Sequence, residues 1–151
     1  MRQITLTIES DIRNLSLIAV AVRRICEYLG ADRGESDQIE LCVNEAVANC
    51  IHHAYRNAPG HPVSVRILAS TNEIQCDVSD SGLPMSAASV ETLTKGPEDT
   101  KSFDEKNTLM EERGRGLKII ANLMDEVSYL RQGATNCLRM KKRIRRSKSV
   151  V

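Results

Sequence analysis

From residue 12 to about residue 55 apolar side chains recur at three- and four-residue spacings, and from 63 to 80 they recur at every second position. That change of period constrains the fold more than any other feature. Side chains 3.6 residues apart share one face of a helix, whereas alternate side chains share one face of a strand. Ile12, Leu15, Ile18, Ala19, Val22, Ile25, Cys26 and Leu29 predict one helix, with Ser10 or Asp11 as its cap and Gly30 at its end. Gly34-Glu35-Ser36 offers a second cap, and Ile39, Cys42, Val43, Ala46, Val47 and Cys50 predict a second helix to about Tyr55, which NAPGHP at 57–62 breaks. The alternating segments at 63–69 and 73–80, joined by Ser70-Thr71-Asn72, predict an antiparallel hairpin. Ile4, Leu6 and Ile8, alternating with polar neighbours, predict a strand ahead of the first helix.

The period dissolves after Gly82. Residues 83–113 carry two prolines and scattered charge with no sustained repeat, the pattern of a lid or binding loop. Order returns with GRGLKIIANLMDE, a helix bearing Leu117, Ile120, Ala121 and Met124 on one stripe. Two further strands, EVSYLR and TNCLRMKKR, turn around Gln132-Gly133. The element order β-α-α-β-β-lid-α-β-β predicts an α+β fold, a two-layer sandwich whose mainly antiparallel sheet is covered by helices on one face. One domain over 1–145 is expected, with its lid at about 83–113 and a basic tail at 146–151 expected to be disordered.

The 151 residues include no Trp, one Phe and three Tyr, so the core is built from aliphatic side chains, Met and Cys, and aromatic stacking on nucleic acid is disfavoured. Five cysteines are odd in number and form no C-x-x-C pair, as expected of reduced, buried thiols in a cytoplasmic protein. The N-terminus has no apolar leader and no apolar run approaches a membrane span, so no membrane association is expected. All 20 acidic residues precede position 139, while 139–148 holds seven of the 21 bases. A solvated strand end accounts for this tail, and no direct nucleic-acid contact is assigned to it.

Three groups of residues carry chemistry. Glu45 and Asn49 stand one helical turn apart, on one face beside the apolar stripe. An Asn amide oxygen is a hard, neutral ligand for Mg²⁺, and a carboxylate nearby can act as a general base. Taken alone, the pair reads first as a helix-surface hydrogen bond. Asp80 shares strand parity with Ile74, Cys76 and Val78, so its carboxylate faces inward and demands a donor, such as an exocyclic amine, with Gly82 allowing close approach. Gly114-Arg115-Gly116-Leu117 opens a helix whose N-terminal N–H groups suit an anion, with Arg113 and Arg115 as cationic donors beside it.

In this order the three groups resemble the GHKL, or Bergerat-fold, ATPases. Within that superfamily the chain is similar to the anti-sigma-factor serine/threonine kinases of bacterial partner-switching systems. ELCVNEAVANCIHHAY resembles the family's N box, DVSDSG its first glycine box and GRGLKIIANLMDEV its second. The resemblance implies ATP and Mg²⁺ as cofactors, Glu45 as general base and Asn49 as both nucleotide contact and Mg²⁺ ligand. It further implies Asp80 and Gly82 at the adenine, Gly114, Gly116 and Leu117 at the phosphates, and Thr135 as an adenine contact. Arg113 or Arg115 is implied at the transferring phosphoryl group, and the sequence does not choose between them.

The implied activity is phosphorylation of a STAS-type anti-sigma-factor antagonist, coupled to sequestration of a sigma factor by a homodimer. A nucleotide-regulated binding module with little kinase activity is the alternative. Two departures from the family pattern stand out: Pro84 occupies the position of a later glycine in the first glycine box, and Ala134 interrupts the Gly-Thr-Thr-like stretch. His52 and His53 lack partners at metal-ligand spacing and read as structural or surface residues.

Overall fold

The computed structural model describes residues 1–95 and 114–146. Five strands form one antiparallel sheet: β1 (Arg2–Glu9), β2 (Pro62–Ala69), β3 (Glu73–Asp80), β4 (Glu126–Gln132) and β5 (Thr135–Arg143), in the order β1-β2-β3-β5-β4. The expected hairpin of β2 and β3 is present, with Ala69 opposite Ile74 and Ser64 opposite Ser79. Every pairing is antiparallel, and β3 is the central strand.

Alternation decides what each sheet face does. Val63, Val65, Ile67, Ile74, Cys76, Val78, Leu138 and Met140 are all buried on the inner face. Helices α1 (Leu15–Tyr28) and α2 (Arg33–Asn49) bring Ile18, Val22, Cys26, Ile39, Cys42, Val43, Ala46 and Val47 into the same core. Burial of each large aliphatic side chain stabilises the fold by about 1.5–3 kcal/mol. Burial also pushes the thiols of Cys26 and Cys42 up to about 12, so both remain protonated and inert at neutral pH.

The outer face is polar, with one buried charge. Asp77 is only 2% exposed, and it lies opposite Arg66 on β2 and Arg139 on β5. Arg66 Nη2 donates to Asp77 Oδ2 at 2.7 Å, and Arg139 donates to both carboxylate oxygens at 3.0 and 3.1 Å. Burial by itself would raise this carboxyl, but the hydrogen bonds from Arg139 and Arg66 outweigh it and hold Asp77 below its usual range.

Capping differs from the sequence reading at both helices. Helix α2 begins at Arg33, capped by Asp32, which accepts from Glu35 N at 2.8 Å while Glu35 Oε2 accepts from Asp32 N at 2.9 Å. The reciprocal pair satisfies two donors at once, which a cap at 34–36 would not achieve. Ahead of α1, Asp11 caps a single 3-10 turn at Ile12–Asn14, and Ser10 is spent elsewhere, donating to Ala58 O and accepting from His61 N. The stretch assigned to the lid contains a helix, α3 (Ala87–Thr94), capped by Ser86. Leu93 is its one buried residue, too weak a pattern to show as a period. Helix α4 (Arg115–Leu123) follows and packs on α2 and α3. Residues 96–113, with Arg113, lie outside the described residues, as does the tail from 147.

Candidate functional site

The site is assembled where α2 changes its winding. The α-helix ends at Asn49 and continues as one π-helical turn, Cys50–Ala54, with Tyr55 N–H donating to Cys50 O and Asn57 N–H to Ile51 O. Such turns add a residue to the helix and shift the side chains that follow, and they recur at functional sites. Arg56 and Asn57, both at positive φ, then reverse the chain. Ala46, Asn49, Cys50, His53 and Ala54, at the three- and four-residue spacings of one helical face, line one wall of a cavity of about 270 Å³. Val78, Asp80, Leu138 and Tyr129 close it from the sheet, Leu117 from α4, and Leu83–Ser86 with Ser89 from the lid root.

Asp80 sits half-buried at the end of β3, facing inward as strand parity requires. Its Oδ1 accepts from Gly82 N at 2.9 Å and from Asn136 Nδ2 at 2.9 Å, and its Oδ2 accepts from Cys50 Sγ at 3.3 Å. Burial, reinforced by the Asp80 carboxylate, pushes the Cys50 thiol well above its ordinary range, so Cys50 serves as a donor and not as a nucleophile.

Gly82 is the point of tightest chain approach. A Cβ there would run into the Ala54 carbonyl, while Leu83 N–H donates to that same oxygen at 2.9 Å. The missing side chain therefore lets the π turn and the strand end touch, a second use of the glycine that the sequence did not suggest. Ser81 N–H donates to Tyr55 Oη at 2.8 Å, and Tyr55 in turn donates to Pro62 O at 2.7 Å. Every residue of Asp80-Ser81-Gly82 is thus held by α2's end or by β5.

Glu45 and Asn49 lie one turn apart and half-buried; Glu45 lies against the start of α4 and Asn49 lines the cavity. Gly116 lies against Glu45 so closely that a Cβ on it would collide with Oε2. Helix α4 has no side-chain cap; its first turn bond is Lys118 N–H to Gly114 O, which leaves the N–H groups of residues 115–117 without helical acceptors. A carboxylate and an open helix N-terminus are therefore brought together by a glycine. Asn49 Nδ2 is buried with no partner among the described residues. Because the two ends of an amide can be exchanged by a half-turn, one polar end of Asn49 is left for a ligand.

The remaining expected residues divide. Leu117 is buried in the cavity wall and Gly114 has open space where a Cβ would stand, whereas Arg115 is exposed on the first turn of α4. Thr135 is exposed and lies, with Cys137 and Arg139, on the parity of the outer sheet face, away from the cavity. Its neighbour Asn136 occupies the inner face instead, buried and bonded to Asp80. A polar residue at the head of the inward series Asn136, Leu138, Met140 was the available signal for it. Tyr129 was also not anticipated; it lines the cavity, and its Oη accepts from Met85 N at 2.9 Å, tethering the lid root beside Pro84. His53 lines the cavity, His52 lies within hydrogen-bond range of Asn57, and no cluster of potential metal ligands occurs among the described residues.

Comparison with known proteins identifies the family and agrees with the fold. Residues 8–142 match the histidine kinase-like ATPase domain family. The chain is 30% identical over 143 residues to an anti-sigma F factor of Geobacillus kaustophilus, covering 91% of this chain and 89% of that one. It is 28% identical over 134 residues to the serine-protein kinase RsbW of Staphylococcus aureus, covering 87% and 82% respectively. In fold it superimposes on the RsbU and RsbW domains of Rv1364c from Mycobacterium tuberculosis with a TM-score of 0.65 at 14% identity, covering the whole of this chain and 35% of that one. The SiaB-SiaC complex from Pseudomonas aeruginosa gives 0.59 at 14% identity, covering 92% and 88%. The chain therefore belongs to the histidine kinase-like ATPase domain family, in the company of the anti-sigma F factors.

Proposed function

We propose that the protein is an ATP-dependent serine/threonine protein kinase that also acts as an anti-sigma factor. In this reading it phosphorylates a STAS-type antagonist, sequesters a sigma factor, and works as a cytoplasmic homodimer. The observation that carries the reading is the placement of Glu45 against the uncapped N-terminus of α4, next to Ala46 and Leu117 of a cavity that Asp80 also lines. Its sequence relatives named as anti-sigma F factor and serine-protein kinase support it.

The residues present fit a magnesium nucleotide. Asn49 has an amide end without a partner among the described residues to offer Mg²⁺, Asp80 an acceptor oxygen for an exocyclic amine, and residues 115–117 N–H groups without helical acceptors for phosphate oxygens. Bound Mg²⁺ supplies neutralisation of phosphate charge. Glu45 takes the proton of the attacking protein hydroxyl as the new oxygen–phosphorus bond forms and the bond to the ADP leaving group breaks. Positioning accounts for most of the rate, and Arg115 is the described cation nearest the start of α4 in sequence.

The test is transfer of labelled phosphate from ATP to a small protein co-purified with the chain. Glu45→Ala is expected to lower transfer by about 10²–10⁴-fold while nucleotide binding persists. Undiminished transfer would remove Glu45 from the base role, and nucleotide binding without any transfer by the parent would favour a nucleotide-regulated binding module.

A further inference from the structure

We infer that Asn136 is a positioning residue that sets the orientation of the Asp80 carboxylate and, through it, the base preference of the site; this rests on the nucleotide reading above. Asn136 is 1% exposed and stands directly opposite Asp80 in the β3–β5 register. Its Nδ2 donates to Asp80 Oδ1 at 2.9 Å and to Gly82 O at 3.0 Å. A carbonyl oxygen and an ionised carboxylate can only accept, so the Asn136 amide cannot be turned round without aiming its own oxygen at two others.

The two carboxylate oxygens are thereby made unequal. Oδ1 carries two N–H donors, from Asn136 and from Gly82. Among the described residues Oδ2 carries only the Cys50 thiol, a weak donor at 3.3 Å. One oxygen thus keeps most of its accepting capacity, and it is the one that shares its position with a displaceable partner. A heterocycle that presents an N–H to Oδ2 is accepted, whereas one that presents a carbonyl there faces like charge. The preference for amino-purines over oxo-purines is strongest while the carboxylate is held in line with the bound base, and Asn136 supplies that restraint from behind the wall.

Packing does not explain the amide. Asn136 is absent from the cavity lining, and its Oδ1 is buried with no partner among the described residues, a cost that an apolar side chain in series with Leu138 and Met140 would not carry. The hold on Asp80 and Gly82 does explain it.

The experiment compares the parent with Asn136→Val and Asn136→Thr, the second retaining one donor. Calorimetric Kd values for ATP and GTP, each with Mg²⁺, are the first readout. Asn136→Val is expected to weaken ATP about tenfold and GTP less than about twofold, collapsing the preference, with partial recovery in Asn136→Thr. The second readout needs no nucleotide: exchange of the Gly82 amide proton should quicken about tenfold in Asn136→Val, while amides of β2 keep their parent rates. A parent that binds ATP, beside variants with an unchanged ATP-to-GTP ratio, overturns the role of Asn136. If Asn136→Val does not fold, Asn136→Thr alone decides, since an undiminished preference there overturns the inference and a reduced one supports it. A parent that binds neither nucleotide overturns the base-preference claim together with the site reading, and unchanged Gly82 exchange separately overturns the restraint itself.

Discussion

Two glycines in the site do different physical work, and the difference predicts different phenotypes. At Gly82 a Cβ would strike backbone, the Ala54 carbonyl, which cannot move without unwinding the π turn. Gly82→Ala is therefore expected to destabilise the whole fold by about 1–3 kcal/mol, read as a lower denaturation midpoint at unchanged slope. At Gly116 the obstacle is the far end of a flexible side chain, the Glu45 carboxylate. Gly116→Ala is expected to leave stability within about 1 kcal/mol while displacing the candidate base, so that phosphoryl transfer falls at least tenfold with a folded protein. Equal loss of stability in both variants would show that the close approach at Gly116 serves packing alone. At this scale the sequence was informative where parity or spacing applied. Asp80 faces inward as alternation required, and Asn136 was passed over because the turn motif drew attention to Thr135, one residue and therefore one sheet face away.

Among the elements, the sheet's outer face carries a pH-dependent contribution through its buried carboxylate. The folded-state value of Asp77 is depressed, so its contribution is complete above the ordinary carboxylate value and is lost as pH falls through the lower folded-state value. Denaturation midpoints of the parent should therefore drop below about pH 4, where carboxylates ordinarily titrate. Asp77→Asn should be less stable than the parent by about 1–3 kcal/mol at pH 7, and should lose less on acidification. Identical pH profiles would detach Asp77 from acid stability. The elements were legible in the sequence wherever a period extended over two turns or four alternations. Helix α3 was not, because only Leu93 of its eight residues is buried, and its formation depends on the Ser86 cap and on packing against α4 and β4. The start of α2 was missed for a related reason: Asp32 and Glu35 form a reciprocal cap three residues apart, and the serine at 36 is buried inside the helix instead.

For the molecule as a whole, the layout converts ligand binding into stability. The cavity is lined by α2, its π turn, β3, α4, β4, β5 and the lid root, so a nucleotide held there bridges most of the fold. With ATP and Mg²⁺ at about a hundred times Kd, the native state should gain about 2.7 kcal/mol, seen as a rise of several degrees in Tm. Chelation of Mg²⁺ should abolish most of that rise in the parent, and Asn49→Ala should respond to ATP as the chelated parent does. A full Tm rise in chelator would contradict Asn49 as the metal ligand. No described helix is long and apolar enough to cross a membrane.

What the sequence determined by itself is the part governed by local periodicity: two helices, a hairpin, a helix opened by glycines and a last pair of strands, in an order that admits one sandwich. It also put forward the candidate groups, because Glu45, Asn49, Asp80 and the G-R-G helix start follow one another in the order that resembles the GHKL ATPases. Only the tertiary structure decided which of those groups meet. Gly116 against Glu45, Gly82 against Ala54, and Asn136 beneath Asp80 join residues separated by 71, 28 and 56 positions. Strand register sets Asn136 beneath Asp80, the π turn sets Gly82 against Ala54, and the packing of α4 on α2 sets Gly116 against Glu45; none leaves a periodic trace in the chain, because each is fixed between elements and not by the preferences within one.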